Sequence, residues 1–356
     1  LYLLGGDHHG QLVWRDRPAA EAMQKAEILV AAYVSAGFGK IHLDTSMRLG
    51  DDLPSEPLSS ETIALRGAAL CRAAETAWHT LLETQPDAPA PCYVIGSEVP
   101  IPGGGMEKTD LAVTRAECFE ETVIVYEKAF ASAGLTDAWR RTLAVVVQPG
   151  VEFDDDSLHV YRHEHTEELR EALHRHPGLV FEGHSTDYQP ESALHQLVQD
   201  GVAILKVGPA LTFHLREALF ALEGMECELL RDWPAVSRSQ FGDVLEAVML
   251  REPENWNRHC HGTGEHLRTS RRFGLSDRIR YYLPMPEVTV AVSRLFANLR
   301  AHPPTPGLLH QFLPAQATLV MQNKLENDPE ALVLNRIQDL LDEYARAAGW
   351  QDGRRT

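Results

Sequence analysis

Short apolar runs alternate with longer helical segments over the first 222 residues of the chain. Six runs of five or six residues, each nearly continuously apolar, predict β-strands at 1–6, 40–44, 92–97, 143–148, 179–183 and 203–208. Runs of this kind suit a parallel sheet that is buried on both faces. Helical patterns follow them, at 18–36, 59–83, 114–132, 165–176, 190–199 and 213–222. Because strands and helices alternate in this order, the sequence predicts an α/β fold.

The number of strand–helix units narrows the type of α/β fold. Six units occupy residues 1–222, which would be enough for a doubly wound sheet, whereas a TIM barrel needs eight. No GxGxxG motif follows the first run, and its absence argues against a dinucleotide-binding fold. The chain starts at Leu1 inside a predicted strand. Two further βα units upstream would complete a TIM (β/α)8 barrel, whereas the six units alone would suit a doubly wound sheet. In the barrel alternative, the barrel occupies 1–224 and a mainly helical extension, packed on the barrel, occupies 225–356.

Composition and charge exclude several classes of protein. Hydrophobic residues make up 44% of the chain and charged residues 24%, as in ordinary globular proteins. No run approaches the roughly 18 consecutive apolar residues of a membrane-spanning helix, so we expect no membrane association. A net charge of −18 would repel a nucleic acid. Five cysteines without a CxxC pair indicate reduced thiols and a cytoplasmic protein. The sequence leaves open whether the protein forms a homo-oligomer.

Each predicted strand ends in polar or ionisable side chains. The carboxyl ends of the strands of a barrel meet at one face, where the chemistry of such barrels takes place, so we predict a shared polar pocket there. Ordinary loop polarity is the alternative, but burying ionisable groups without partners is costly, and this favours a common site. The side chains at the six strand ends are Asp7 and His8, Asp44 and Ser46, Glu98, Glu152, Glu182 with His184 and Asp187, and Lys206.

Histidines and carboxylates from different strand ends suggest a site for a divalent metal. Imidazole and carboxylate groups are ligands of Zn²⁺ and of other first-row metals. We therefore predict His8, Glu152 and His184 as metal ligands, with Asp44 and Glu98 close by. Neighbouring residues of a strand face opposite ways, so His9 is predicted to lie outside the ligand set, either behind the ligands or in solvent.

A glycine-rich segment at 103–109 does not match an ATP-binding P-loop. The register of that loop requires glycine where this sequence has Pro102 and Glu107. We therefore do not predict an ATP-dependent kinase.

Six motifs spread over nearly the whole chain are long enough to compare with known families. They are Leu4-Gly5-Gly6-Asp7-His8, Lys40-Ile41-His42-Leu43-Asp44-Thr45-Ser46-Met47, Ile95-Gly96-Ser97-Glu98-Val99-Pro100-Ile101-Pro102-Gly103-Gly104, Gln148-Pro149-Gly150-Val151-Glu152-Phe153, Phe181-Glu182-Gly183-His184-Ser185-Thr186-Asp187-Tyr188-Gln189 and Ser276-Asp277-Arg278-Ile279-Arg280-Tyr281-Tyr282. Together they resemble the Z subunit of class II D-tagatose-1,6-bisphosphate aldolase, a family also labelled tagatose-6-phosphate kinase. The resemblance implies a class II aldolase-like TIM barrel with two βα units before the first motif.

The resemblance also implies roles for single residues, through the similar catalytic class II aldolases. Asp7 matches their proton-transferring acid/base, and His8 and His184 match metal ligands. Glu152 lies nearest to a further ligand position, which is a histidine in the aldolases. The implied set is Asp7, Asp44 and Glu98 for catalysis, His8, Glu152 and His184 for a divalent metal such as Zn²⁺, and Ser46, Glu182, Asp187 and Lys206 for the substrate.

The loop after His184 departs from the aldolase pattern. In the aldolases a Gly-Gly-Ser-Gly loop cradles a phosphate with its backbone amides. Here the loop reads Ser185-Thr186-Asp187-Tyr188, and Asp187 would repel a phosphate. We therefore expect that a metal site survives here while the bisphosphate cradle does not.

Two functions compete at this stage. The family implies a non-catalytic accessory subunit, which binds the catalytic aldolase subunit and supports its activity and stability. The carboxylates at the strand ends favour instead a metal-dependent enzyme that isomerises or epimerises a ketose or ketose phosphate. A plain sugar-binding module is a third reading. In each case the small-molecule ligand is a sugar or sugar phosphate.

Overall fold

Six parallel strands form one sheet in the computed structural model, which describes residues 3–53, 58–96 and 111–350. The strands lie in the sheet in the order of the chain, each paired with the next. Because this order never reverses, the sheet is wound in one direction, as in a barrel, and is not doubly wound. The sheet consists of β1 (Gly5–His9), β2 (Lys40–Leu43), β3 (Cys92–Ile95), β4 (Thr142–Val147), β7 (Val180–Gly183) and β8 (Val202–Leu205), and a separate antiparallel pair comprises β5 (Glu152–Phe153) and β6 (Leu158–His159).

Helices follow the strands, as the alternating pattern predicts, and the α/β class is confirmed. The helices between strands lie next to one another in chain order, since α1 packs on α2 and α2 on α3. They are α1 (Ala19–Ser35), α2 (Ser60–Leu82), α3 (Ala116–Ser132), α4 (Thr136–Trp139), α5 (Glu167–His174) and α6 (Glu191–Gln199). After β8 come α7 (Pro209–Leu229), α8 (Phe241–Arg251), α9 (Gly264–Phe273), α10 (Pro286–Ala301), α11 (Pro306–Phe312), α12 (Pro314–Met321) and α13 (Pro329–Ala347).

Alternating side chains give the sheet two different faces. On β2, Ile41 and Leu43 belong to the large apolar core that the helices share. Val94, Ala144 and Val146 have the opposite parity on their strands and form a separate small apolar cluster. The helices between the strands therefore cover one face, which we call the outer face, and the other face is the inside of the sheet.

The sheet is strongly curled. Three strands separate β1 from β7, so in a flat sheet the two would lie about 19 Å apart. Yet the ring centroids of His8 on β1 and His184 just after β7 are only 5.3 Å apart. The described residues thus form a curled sheet with β1 and β8 at its edges. Closure into an eight-stranded TIM barrel stays a prediction.

The first strand lies further along the chain than its apolar run predicts. The apolar run covers 1–6, but β1 spans Gly5–His9. Gly5 pairs with Lys40 and His9 with Leu43, so pairing with β2 sets the register of this strand. Asp7 and His8 therefore belong to the strand and do not follow it.

A second apolar core lies among the later helices. It joins side chains of α7 and α8 with those of α10 to α13, such as Leu222, Met249, Leu295 and Leu332. The predicted boundary at residue 224 falls inside α7, and the division into barrel and extension stays a prediction. In the described part of the chain, the helices are all too short or too polar to cross a membrane.

Two glycines allow close packing around β1. A Cβ on Gly6 would lie 1.7 Å from Cε1 of His9, and one on Gly10 would lie 1.6 Å from the carbonyl oxygen of Asp44. Real Cβ atoms do not approach other atoms so closely. At Gly10 the neighbouring atom is backbone, so this position requires glycine, whereas at Gly6 the His9 ring would have to shift.

We expect Gly10→Ala to destabilise the protein by at least about 3 kcal/mol, because the clashing atom is backbone and cannot rotate away. Urea unfolding measures this loss. Gly307→Ala is the matched control, since a Cβ at that helical position meets nothing within 4 Å. The control should stabilise by up to about 1 kcal/mol. Equal stability of Gly10→Ala and wild type would contradict the packing described here.

His9 points away from the inside of the sheet, as predicted from its neighbour His8. Its ring packs on Tyr33 of α1, with the ring centroids 4.3 Å apart. His9 is buried, and neither ring nitrogen has a hydrogen-bond partner among the described residues. Burial lowers the pKa of His9 to about 4.

The pKa of His9 predicts a pH-dependent loss of stability. Between pH 6.5, the ordinary histidine pKa, and pH 4 the unfolded chain binds a proton at His9 that the folded chain does not. Acidification through this window should therefore lower the free energy of unfolding of wild type more than that of His9→Phe. The difference should grow to on the order of 3 kcal/mol. Urea unfolding at several pH values measures it, and parallel curves for the two proteins would refute the assignment.

Candidate functional site

Charged and polar side chains line the inside of the curled sheet. On β2, Lys40 and His42 alternate with apolar residues of the outer face, and Asp44 continues this parity. On β7, Glu182 and then His184 have the same inward parity. We call the following side chains the polar cluster: Asp7, His8, Lys40, His42, Asp44, Glu182, His184 and Lys206.

Glu182 lies at the centre of the polar cluster, and its side chain is 0% exposed. Its Oε2 lies 3.1 Å from Lys40 Nζ, and its Oε1 lies 3.4 Å from Lys206 Nζ. The same Oε1 is 2.9 Å from His184 Nε2. Burial by itself raises the pKa of Glu182, but the hydrogen bond with His184 and the two ammonium groups outweigh burial and hold the pKa below its ordinary value. Glu182 is therefore an anion inside the sheet.

Two lysines supply the positive charge of the cluster. Besides Glu182, both approach Asp7 Oδ1, Lys40 at 2.5 Å and Lys206 at 3.6 Å. Burial lowers the pKa of Lys40, but Glu182 and Asp7 more than compensate and raise it. Burial also lowers the pKa of Lys206, and there the two acids only partly offset burial and the charge of Lys40. Lys206 is thus the lysine that loses its proton more readily.

Three imidazoles face one another at the carboxyl ends of the strands. The ring centroid of His8 lies 5.3 Å from those of both His42 and His184, which are themselves 5.8 Å apart. His8 Nδ1 lies 3.0 Å from Asp44 Oδ2, and Ser46 donates a hydrogen bond of 2.9 Å to the other carboxylate oxygen. The backbone of His8 has a φ of +53°, a conformation that costs energy for a residue with a Cβ. A carboxylate thus orients the His8 ring, and the strained backbone presents it to the cluster.

His42, Glu182 and His184 form a group that could hold a metal ion. One donor atom from each lies within 4.8 Å of the other two. Burial, with nearby positive charges adding to it, lowers the pKa of His42 well below its ordinary value, so its imidazole is neutral. Nε2 of His42 is buried and has no hydrogen-bond partner among the described residues. Neutral imidazoles and a carboxylate are suitable ligands for a divalent cation.

The structure brings together most of the residues that the sequence selects. Asp7, His8, Asp44, Glu182, His184 and Lys206 meet in the polar cluster, and Ser46 touches it through Asp44. Glu152 is not in the group with His42 and His184. It lies on the short β5–β6 pair, where burial raises the pKa of its carboxyl and Ser185 is a hydrogen-bond partner. Glu98 lies outside the described residues.

Lys40 and His42 were missed as members of the site. Their signal was present in the sequence, because residues two apart on a strand share a face. Once Asp44 is placed inside the sheet, the same parity selects both of them on β2.

The carboxylate of Asp187 binds the backbone amides at the start of α7. Its Oδ1 accepts hydrogen bonds of 2.9 Å from the N–H groups of both Gly208 and Ala210. Helix N-termini of this kind bind anions, and barrels commonly hold phosphate at the loops after their last two strands. Burial raises the pKa of Asp187, which a phosphate brought to the same amides would raise further. Asp187 and a phosphate would therefore compete for the backbone amides of Gly208 and Ala210.

Comparison with known proteins agrees with the resemblance seen in the motifs. Residues 1–349 match a family model described as D-tagatose-1,6-bisphosphate aldolase subunit GatZ/KbaZ-like. The chain is also similar to a crystal structure of a probable tagatose 6 phosphate kinase from Sinorhizobium meliloti 1021, with 41% sequence identity and a TM-score of 0.85. That match covers 97% of this chain and 82% of the other.

Replacing Glu182 with glutamine should destabilise the protein by about 3 kcal/mol or more, because two buried ammonium groups lose the anion between them. Chemical unfolding at neutral pH measures the change. Glu191→Gln is the matched control, since it removes an exposed ion pair with Arg346. The control should change stability far less, because solvent screens the exposed pair. Similar values for the two variants would show that the buried charges are not coupled as described.

Proposed function

The chain belongs to the D-tagatose-1,6-bisphosphate aldolase subunit GatZ/KbaZ-like family, and on that premise we propose that it is a non-catalytic accessory subunit of a tagatose-bisphosphate aldolase. In this role it binds the catalytic subunit and supports the activity and stability of that subunit. All five cysteines are free thiols, which supports placing the subunit in the cytoplasm.

The observation that carries this proposal is the position of Asp187. Cleavage of a sugar bisphosphate requires that dianionic phosphates be held while the carbon–carbon bond breaks. The amides of Gly208 and Ala210, which could hold one of them, already bind the Asp187 carboxylate at 2.9 Å each. A phosphate would have to displace this carboxylate from the start of α7. This argues for a subunit that does not itself turn over the bisphosphate.

The second candidate is an enzyme that isomerises or epimerises a ketose or ketose phosphate with a divalent metal such as Zn²⁺. The group of His42, Glu182 and His184 favours it, because two imidazoles and a carboxylate are a common ligand set of catalytic zinc. A bound metal ion would supply polarisation of the ketose carbonyl. However, the Lys206 ammonium lies 3.1 Å from His184 Nε2 and 3.4 Å from Glu182 Oε1. With that cation in place the residues do not fit a divalent metal ion.

A kinase role, as in the description of the similar crystal structure, has little support in this sequence. The glycine-rich segment at 103–109 lacks the register of a P-loop. It lies outside the described residues.

The accessory role predicts that the purified chain alone cleaves no tagatose 1,6-bisphosphate, because the backbone amides of Gly208 and Ala210 already bind Asp187. Added to a catalytic aldolase subunit, it should raise the rate of cleavage and slow the thermal inactivation of that subunit. A coupled assay for the triose phosphate products, with and without the catalytic subunit, measures both effects.

His184→Ala separates the two candidate functions. If the role is accessory, folded His184→Ala should stimulate the catalytic subunit to within about twofold of wild type. If the chain is a metal-dependent enzyme, this variant should abolish metal-dependent turnover of a ketose by the isolated chain. Sustained cleavage of the bisphosphate by the pure chain, without a partner, would overturn the accessory role.

A further inference from the structure

We propose that the ammonium group of Lys206 is a built-in cation that fills the space between the histidines of the polar cluster and keeps divalent metals out of it. Nζ of Lys206 lies 3.2 Å from His8 Nε2, 3.1 Å from His184 Nε2 and 3.4 Å from Glu182 Oε1. An ammonium group has three N–H donors and no acceptor. Here Nε2 of His8 and Oε1 of Glu182 can accept from it, and Nε2 of His184 lies beside it while donating to Oε1 of Glu182.

The ammonium group competes with a metal for the same lone pairs. Imidazole Nε2 has one lone pair when it carries no proton, and a metal needs that lone pair. Lys206 donates a hydrogen bond of 3.2 Å to Nε2 of His8, whose Nδ1–H faces Asp44, so this lone pair is already in use. Nε2 of His184 donates its own proton to Oε1 of Glu182 and offers no lone pair while that hydrogen bond is present. The metal ligands and the partners of Lys206 are therefore partly the same atoms.

The ammonium group of Lys206 also repels a divalent metal ion in the cluster. An ion bonded to both His184 Nε2 and Glu182 Oε1 at about 2 Å would lie within roughly 4 Å of Lys206 Nζ, given the distances above. Lys40, 3.1 Å from the other oxygen of Glu182, adds a second positive charge. At such separations in a buried site, a divalent cation and an ammonium group repel each other strongly.

The position of Lys206 follows from the fold. Ile204 packs with the small inner apolar cluster, and Lys206, two residues further along, has the same inward parity. The curl of the sheet then brings the end of β8 against β1, so that Lys206 reaches Asp7 and His8. This inference concerns the ions that the cluster accepts, and it does not depend on the accessory role.

Zinc binding by matched variants tests the proposal. Tag-free wild type, Lys206→Met and Lys40→Met are dialysed against buffered Zn²⁺, and the bound metal is measured by elemental analysis. Methionine keeps the length of the side chain and removes its charge. We expect Lys206→Met to bind one Zn²⁺ per chain at least about a hundredfold more tightly than wild type, because the repelling cation is gone. Lys40→Met removes a charge from the same cluster but not the group between His8 and His184, so it should gain much less.

Two further variants show where the metal binds and guard against misfolding. The double variant Lys206→Met/His184→Ala should lose the gained Zn²⁺, which separates the cluster from other sites among the 17 histidines of the chain. Lys206→Gln should repeat the gain if methionine perturbs the fold, and Co²⁺ in either variant should show the absorption of a tetrahedral site.

Three results would overturn the proposal. One is tight, stoichiometric Zn²⁺ binding by wild type that His184→Ala abolishes. Another is an equal gain in Lys40→Met and Lys206→Met, which would point to net charge and not to the position of Lys206. The third is the absence of any gain in folded Lys206→Met and Lys206→Gln. Each of these results is distinct from a failure to stimulate the catalytic subunit.

Discussion

The interior of this sheet depends on one buried carboxylate. Glu182 is fully enclosed and is held as an anion by Lys40, Lys206 and His184. These partners come from β2, from the end of β8 and from the end of β7, so one side chain connects strands that are far apart in the sheet order. Removing Glu182 would leave two buried ammonium groups without the anion between them, which costs more than the ion pairs themselves contribute. The charges and the curl of the sheet therefore support each other.

Side chains of the chain itself occupy two positions inside the curled sheet where an anion and a cation could bind. Asp187 binds the amides at the start of α7, where an anion would bind. Lys206 lies among the imidazoles and the carboxylate, where a cation would bind. Side chains of the protein thus take the places of both ligands, although Nε2 of His42 stays without a hydrogen-bond partner among the described residues. This arrangement supports the proposed accessory role, in which a stable surface for a partner matters more than turnover.

Much of the fold could be predicted because it depends on local patterns. The six apolar runs and the helical segments between them are visible in the sequence, and their alternation selects an α/β fold. The parity of neighbouring residues is enough to place His9 and His8 on opposite faces of a strand. The register of β1 was missed by several residues, because it is set by hydrogen bonds to β2 and not by the apolar run. The β5–β6 pair was missed as well, since two-residue strands leave no periodic signal.

By itself, the sequence determined the strand–helix alternation and the polar strand ends that point to one pocket. Only the tertiary structure decided which of those side chains meet. Lys206 and His8 are separated by 198 positions, and their contact requires the sheet to curl until its two edges approach. Whether Glu152 or His42 joins His184 also depends on that curl, since both carry suitable ligand atoms. Local patterns encode the direction in which a side chain points, whereas the distance between side chains on remote strands depends on how the whole sheet closes.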